Sequence, residues 1–129
     1  MLYIDTNVLI YFMYQFQDEG KYRITKNIIE ESLKENNIVI SPLVLQEFIY
    51  SSFKIDKNQV RIKEGFNFFK RFSLSDIATK IVIDSFELAE ELNYYSKIND
   101  CIHLKFAEKY CDKLITFDKD LKSSDLIQN

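Results

Sequence analysis

Short apolar runs alternate with longer amphipathic segments along this chain. Four apolar runs rich in Ile, Val, Leu and Tyr predict β-strands at 2–4, 38–40, 79–83 and 113–117. Between them, helical spacing of apolar residues predicts helices at 6–16, 21–35, 43–53, 57–71, 86–95 and 100–110. Strands separated by helices favour an α/β fold, in which a mainly parallel sheet has helices on both faces.

Three polar stretches mark predicted helix boundaries. Ser41-Pro42 is typical of a helix start, with Ser as the N-cap and Pro in the first turn. Asp56 is a candidate N-cap for the helix that ends near Arg71, and 18–20 separates the first two helices. These boundaries leave short connections between the elements.

Acids directly follow the first and the last of the predicted strands. Asp5 comes after the run 2–4, and Asp118 comes after 113–117. Either one could simply cap the turn or helix behind it. In open α/β sheets, however, ligands bind at the carboxyl ends of the strands, which is where both acids are predicted to lie.

Two further acids stand out on predicted helices. Glu47 is the one charged residue between Ser41 and Phe53, which is unusual for a solvated helix face. Asp100 lies in a first helical turn, where the helix dipole favours an anion. It also shares one apolar helix face with Leu104, Ala107 and Cys111, at i+4, i+7 and i+11.

Taken together, the four acids predict a metal site. A parallel sheet would gather Asp5, Glu47, Asp100 and Asp118 along one edge, where their charges repel one another. A hard divalent ion such as Mg²⁺ or Mn²⁺ compensates such a cluster and supports phosphodiester hydrolysis. This chemistry needs no side-chain nucleophile. The chain's single histidine, His103, lies one turn from Asp100 and could reach metal or substrate, although a core or surface role is the simpler interpretation.

The composition predicts a single soluble domain spanning 1–129. The chain is 47% hydrophobic and 15% aromatic, which is enough for one packed core. No apolar run approaches the ~20 residues of a membrane span, and the chain start does not resemble a leader peptide. Cys101 and Cys111 fall on one predicted helix roughly 15 Å apart, too far for a disulfide. We therefore expect a cytoplasmic protein with free thiols.

The charge is unevenly distributed. The net charge is −3, yet residues 54–80 carry seven basic and three acidic residues. Phenylalanines are interleaved with these basic residues, a mixture that can contact phosphates and stack on bases. Arg61 and Lys63 are therefore candidate substrate contacts, although a basic helix with its rings in the core explains the pattern equally well.

The four acids and their neighbours resemble the PIN domain, and most closely the VapC-type ribonuclease toxins. The matching motifs are Asp5-Thr6-Asn7, the segment from Ser41 to Glu47, Asp100-Cys101 with Ala107 downstream, and Thr116-Phe117-Asp118. Cys101 stands where the family usually has Ala, a small-residue change. The resemblance covers nearly the whole chain.

The resemblance implies a Rossmann-like three-layer sandwich with four to five sheet strands. It implies an endoribonuclease that uses Mg²⁺ or Mn²⁺, with Asp5 and Asp100 as the foremost metal ligands, joined by Glu47 and Asp118. Asn7 and Thr116 would support them. It further implies a homodimer, an antitoxin that occupies the site, and RNA substrates that include tRNA as a candidate.

Two other functions are compatible with parts of the pattern. A phospho-receiver domain is also a small parallel α/β fold, and Asp84 follows the predicted strand at 79–83. A PIN domain could also serve in RNA processing, or bind RNA without cleaving it.

Overall fold

The computed structural model describes residues 1–122. Its strands are β1 (Leu2–Ile4), β2 (Ile38–Val39) and β3 (Lys113–Ile115). Its helices are α1 (Thr6–Met13), α2 (Glu19–Glu35), α3 (Pro42–Ile55), α4 (Gln59–Phe69), α5 (Thr79–Glu91), α6 (Ile98–Tyr110) and α7 (Lys119–Lys122). Single 3₁₀ turns occupy Gln15–Gln17, Lys70–Phe72 and Tyr95–Lys97.

The three strands form a parallel sheet in the order β2-β1-β3. Tyr3 is in register with Val39 on one side and Leu114 on the other. β1 is therefore the central strand, and its carboxyl end lies between the ends of its two neighbours. Asp5 leaves the sheet at this central position.

The core lies around the central strand. Tyr3 and Ile4 are fully buried, as are the large side chains of Phe48, Phe106 and Leu114 from α3, α6 and β3. The helices that flank the sheet contribute apolar side chains to this core. The prediction of an α/β fold with a parallel sheet flanked by helices is confirmed.

The predicted strand at 79–83 is wrong, because these residues form the first turns of α5. Ile81, Ser85 and Ala89 are the buried positions of that helix, four residues apart, which is helical and not strand spacing. The Ile-Val-Ile run favoured a strand because β-branched residues suit pleated sheets. The described residues consequently contain a sheet of three strands, not the four to five expected.

Helix boundaries agree with the sequence at one point and differ at another. Ser41 caps α3 as predicted, because its hydroxyl oxygen accepts from the backbone N–H of Val44 at 3.2 Å. α4 is capped by Asn58 and not by Asp56, since the Asn58 side chain accepts from Val60 N–H at 3.0 Å. Asp56 instead accepts from the backbone N–H of Asn58 and ends α3.

Two expectations about the whole chain can be compared with the described residues. Within residues 1–122, no helix combines the length and apolar character needed to cross a bilayer. Cys101 and Cys111 are both free thiols, as their predicted separation required.

Candidate metal centre

The four predicted acids line one cavity at the carboxyl edge of the sheet. Its volume is about 640 Å³, and its walls come from the start of α1, the middle of α3, the start of α6 and the end of β3. The lining contains Asp5, Glu47, Asp100 and Asp118. Among the described residues that line it there is no lysine or arginine, so the cavity concentrates negative charge.

Asp5 is the most buried of the four acids. Its side chain is held at both oxygens, because Oδ1 accepts from the Thr6 backbone N–H at 2.7 Å and Oδ2 accepts from the Thr116 hydroxyl at 2.6 Å. Asp5 is thus the N-cap of α1, which is the simpler of the two roles that the sequence allows for it. Each oxygen keeps a second lone pair, so capping does not prevent metal binding.

Glu47 is half-buried and accepts three side-chain hydrogen bonds. Oε1 accepts from the Thr6 hydroxyl at 2.6 Å and is 2.7 Å from Nε2 of His103, while Oε2 accepts from the Asn99 amide at 3.3 Å. Burial alone would raise its pKa, but the hydrogen bond and charge of His103, with the other two donors, lower the pKa below its usual value. Glu47 is therefore held as a carboxylate.

The clustering of the acids is reflected in the pKa of Asp100. Burial in the first turn of α6, followed by the charges of Asp118 and Asp5, raises the pKa of its carboxyl group to about 6. Nearby His103 and Lys97 oppose this shift without cancelling it. The acids are thus close enough to repel one another, as the sequence predicted.

The two predicted supporting residues join the strand ends around Asp5. The Asn7 side chain accepts from the Phe117 backbone N–H at 3.2 Å and donates to the Thr116 hydroxyl at 3.3 Å. The same hydroxyl accepts from the backbone N–H of Asp118 at 2.9 Å. Thr116 and Asn7 therefore fix the start of α1 to the end of β3, where two of the acids lie.

Residues 2–125 match the family model for the PIN domain. The chain belongs to the PIN domain family. Among solved structures, it is similar to VapBC2 from Rickettsia felis, crystallised bound to a DNA fragment from their promoter, with 25% sequence identity and a TM-score of 0.71. That similarity covers 99% of this chain and 96% of the other. No curated protein matches the chain. The resemblance to VapC-type PIN domains drawn from the sequence is confirmed.

His103 lies in the acid cluster of this PIN domain and is also part of its core. It is 1% exposed, and its Nε2 lies 2.7 Å from Glu47 Oε1 and 3.7 Å from Asp5 Oδ1. Burial disfavours the charged imidazole, but the hydrogen bond to Glu47 and the surrounding acids raise its pKa. The ligand atoms of Asp5, Glu47 and His103 all lie within 4.8 Å of one another.

Sequence analysis missed the groups that position Glu47. Thr6 stands in the Asp5-Thr6-Asn7 motif with no role of its own, and Asn99 immediately precedes the predicted helix at 100–110, yet both donate to the Glu47 carboxylate. The sequence likewise predicts Tyr3 as a buried strand residue and suggests no role for its hydroxyl group. The available signal was spacing, because Asn99 and His103 lie one residue before and three residues after Asp100 on the same helix.

The rim of the cavity carries two tyrosine–lysine pairs that the sequence did not suggest. Tyr11 lines it from α1, with Lys21 Nζ 4.7 Å from the ring centroid. Tyr50 lines it from α3, is 63% exposed, and has Lys54 Nζ 4.3 Å from its ring centroid. In each pair, a lysine that does not itself line the cavity lies over the ring of a tyrosine that does.

The candidate substrate contacts lie outside this cavity. Arg61 is on α4, 3.8 Å from Asp56, and lines a separate hollow beside α1. Lys63 lines an apolar groove between α3 and α4. Neither residue is among those that line the acid cavity.

The donor set of the PIN cavity fits a hard divalent cation. Its charged donors are carboxylate oxygens, the ligands that Mg²⁺ and Mn²⁺ prefer. Burial first, and then the charges of Asp118 and Asp5, raise the pKa of Asp100, so its ionised form is disfavoured in this cavity. A bound cation would stabilise the ionised form.

Proposed function

We propose that this PIN domain is a Mg²⁺- or Mn²⁺-dependent endoribonuclease and acts as the toxin of a toxin–antitoxin pair. The observation that carries the proposal is the gathering of four carboxylates in one cavity that is not lined by lysine or arginine among the described residues. Separate structural roles for each acid would not require this convergence.

The chain's own residues would hold the ion through oxygens that remain available. Asp5 has a free lone pair on each oxygen, and Asp100 lies opposite it at the start of α6, so these two are the foremost ligands. Glu47 can contribute through Oε2, and Asp118 completes the set. A bound Mg²⁺ or Mn²⁺ supplies an activated water and neutralises charge on the phosphate.

The rim pairs support RNA as the substrate. Tyrosine rings stack on unpaired bases with little regard to sequence, and lysines contact phosphates. Tyr50 is exposed and Tyr11 is partly exposed. Tyr11 with Lys21 and Tyr50 with Lys54 would bind nucleotides near the scissile phosphate. Single-stranded segments, including the loops of tRNA, suit this arrangement. Arg61 and Lys63 would contact RNA only farther from the cavity.

The assembly is part of the proposal. Similarity to VapBC2 supports a cognate antitoxin whose binding blocks the cavity. Family resemblance also supports a homodimer, a single domain over 1–129 and a cytoplasmic location.

The structure removes the observation that suggested a phospho-receiver function, an acid at the end of a strand. Asp84 does not follow a strand, since it lies within α5 and pairs with Lys80 at 3.0 Å on the surface. A PIN domain that binds RNA without cleaving it, or that processes RNA without a toxin role, remains a distinct alternative, and the experiment below separates it.

The test is cleavage of total RNA and purified tRNA by the wild type in Mg²⁺, Mn²⁺ or EDTA. Asp5→Asn and Asp100→Asn should abolish cleavage, while Asp76→Asn, which alters an exposed acid on a loop outside the cavity, should not. Mg²⁺ should also raise the melting temperature of the wild type far more than that of Asp100→Asn. Undiminished cleavage by both cavity variants would refute the proposal, and RNA binding without cleavage by the wild type would favour the binding function. Growth arrest on expression, relieved by the antitoxin, would separate a toxin from a processing enzyme.

A further inference from the structure

His103 bridges the acid cavity and the core through both ring nitrogens. Nε2 contacts Glu47 Oε1 at 2.7 Å, and Nδ1 is hydrogen-bonded to the hydroxyl of Tyr3. The Tyr3 hydroxyl is in turn 2.9 Å from Oγ of Ser41. All three side chains behind Glu47 are buried.

This hydrogen-bonded chain begins and ends on the same helix. Ser41 caps α3, accepting the Val44 backbone N–H, and Glu47 lies farther along that helix. Tyr3 belongs to the central strand, and His103 belongs to α6. The chain therefore ties the three elements that carry Asp5, Glu47 and Asp100 to one another through fixed contacts.

The same contacts leave the two carboxylate oxygens of Glu47 with different capacities to bind an ion. Oε1 already accepts from Thr6 and contacts His103, so both of its lone pairs are engaged. Oε2 accepts one bond, from Asn99, and keeps a lone pair. His103 is in a similar position, since neither ring nitrogen is left to bind an ion without breaking a hydrogen bond.

We propose that His103 is a positioning residue, held by Tyr3 and Ser41, that engages Glu47 Oε1 so that Glu47 meets the metal through Oε2 alone. This inference rests on the metal centre proposed above. It assigns His103 a role through Glu47 and not as a metal ligand, although its Nε2 lies among the ligand atoms.

Two substitutions test the two ring nitrogens of His103 separately. His103→Gln carries its amide nitrogen at the position of Nε2 and can still donate to Glu47, whereas His103→Asn carries it at the position of Nδ1 and cannot. A role in holding Glu47 predicts rescue by Gln and not by Asn. A role in packing alone predicts a loss of stability that is larger for the smaller Asn, with no difference in metal affinity between the two folded variants.

The measurement is calorimetric binding of Mg²⁺ and, separately, Ni²⁺ to the folded wild type and both variants. His103→Asn should lower the binding affinity for both ions by a similar factor, on the order of 10-fold, as is typical for residues that orient metal ligands. His103→Gln should restore most of that loss. A much larger loss for Ni²⁺, which favours imidazole, would make His103 a ligand and overturn the inference. Equal loss in both variants, or none in either, would overturn it as well.

A spectroscopic readout on the wild type covers the case in which a variant does not fold. Because His103 is the only histidine in the chain, ¹⁵N-labelled histidine gives one pair of ring-nitrogen signals. Nε2 should carry a slowly exchanging proton without metal and should keep it when Mg²⁺ is added. Loss of that proton on Mg²⁺ binding overturns the positioning role alone. Absence of any Mg²⁺ binding by the wild type would refute the proposed function together with this inference.

Discussion

Thr116 and Asp5 are 111 residues apart in sequence, yet the Thr116 hydroxyl donates a 2.6 Å hydrogen bond to Asp5 Oδ2. The pairing of β1 with β3 makes this contact, since Ile4 is in register with Ile115. One hydroxyl thus orients the central acid and also accepts from the backbone N–H of Asp118. Strand register in this fold is therefore directly coupled to the geometry of the acid cluster.

Removing that hydroxyl should weaken the site and the fold together. Thr116→Val should lower Mg²⁺ affinity roughly 10-fold and reduce the free energy of unfolding by about 1–2 kcal/mol, because a buried donor and acceptor are both lost. Calorimetric titration and urea unfolding measure the two effects. Thr116→Ser keeps the hydroxyl and should retain most of the affinity. Wild-type affinity in Thr116→Val would show that Asp5 needs no such support.

The raised pKa of Asp100 predicts a pH-dependent gain in stability on its removal. In the metal-free native state this carboxyl group has a pKa of about 6, above the usual 3.8, so ionised Asp100 destabilises the fold. Asp100→Asn in EDTA should therefore raise the unfolding free energy at pH 7.5 by about 1 kcal/mol, which is less than the full pKa shift implies because solvent screens this half-exposed carboxyl group. The gain should shrink as the pH falls through 6 and disappear below 3.8, where Asp100 is protonated in the unfolded state as well. Denaturant unfolding at several pH values measures it.

An exposed acid provides the control for this experiment. Asp76→Asn should change the unfolding free energy little at any of these pH values, because Asp76 lies on an exposed loop outside the cavity. A gain for Asp100→Asn that is independent of pH would contradict the assigned electrostatic cause.

The rim pairs should contribute to RNA binding more than to the chemical step. Tyr50→Ala removes an exposed stacking surface and should raise KM for single-stranded RNA with little change in kcat, a loss of about 1–3 kcal/mol per stacked base. Lys21→Ala should raise KM and reduce the dependence of binding on salt by about one phosphate contact. Steady-state kinetics at two salt concentrations measure both.

Lysine substitutions elsewhere show whether these effects are local to the rim. Lys80→Ala, on α5 and outside the cavity, should leave KM unchanged. Lys63→Ala in the same assay tests the substrate contact suggested by the basic segment. If Lys63→Ala raises KM more than Lys21→Ala does, the RNA follows α4 and not the rim.

Gly65 allows α4 to approach α3 closely. A Cβ added there would lie 2.5 Å from Phe48 Cζ and 3.2 Å from Met13 Cε. Gly65→Ala should therefore lower the free energy of unfolding by about 1–3 kcal/mol despite the better helix propensity of alanine. A Cβ added at Gly20 would lie 3.5 Å from its nearest atom, so Gly20→Ala should be neutral or slightly stabilising. Thermal unfolding compares the two, and a stable Gly65→Ala would show that the Phe48 ring can move aside.

The sequence predicted those parts of the fold where pattern and burial agree. Leu2–Ile4 is a buried strand followed at once by a helix, and the Ser41-Pro42 start of α3 is a local signal that tertiary contacts reinforce. The run at 79–83 misled because its β-branched residues suit a strand, while its burial repeats every four residues. Only the packing of α5 against α6 reveals which period applies.

The acids were predictable from the sequence, but their partners were not. Asp5 follows β1 directly and Asp118 follows β3 three residues on, so a parallel sheet brings both to one edge. The contact between Glu47 and His103 spans 56 residues and depends on how α3 and α6 pack, which no local pattern encodes. The pairing of Tyr11 with Lys21 likewise depends on how α1 packs against α2, whereas Tyr50 and Lys54 are neighbours at i and i+4 on α3.

The most direct test of the metal centre is the anomalous scattering of Mn²⁺ in crystals of the wild type. We predict an anomalous peak in the cavity bound by carboxylate oxygens of Asp5 and Asp100, and loss of that peak in Asp100→Asn crystals grown under the same conditions. A peak outside the cavity, or a cavity that stays free of Mn²⁺ at concentrations that support RNA cleavage, would contradict the account.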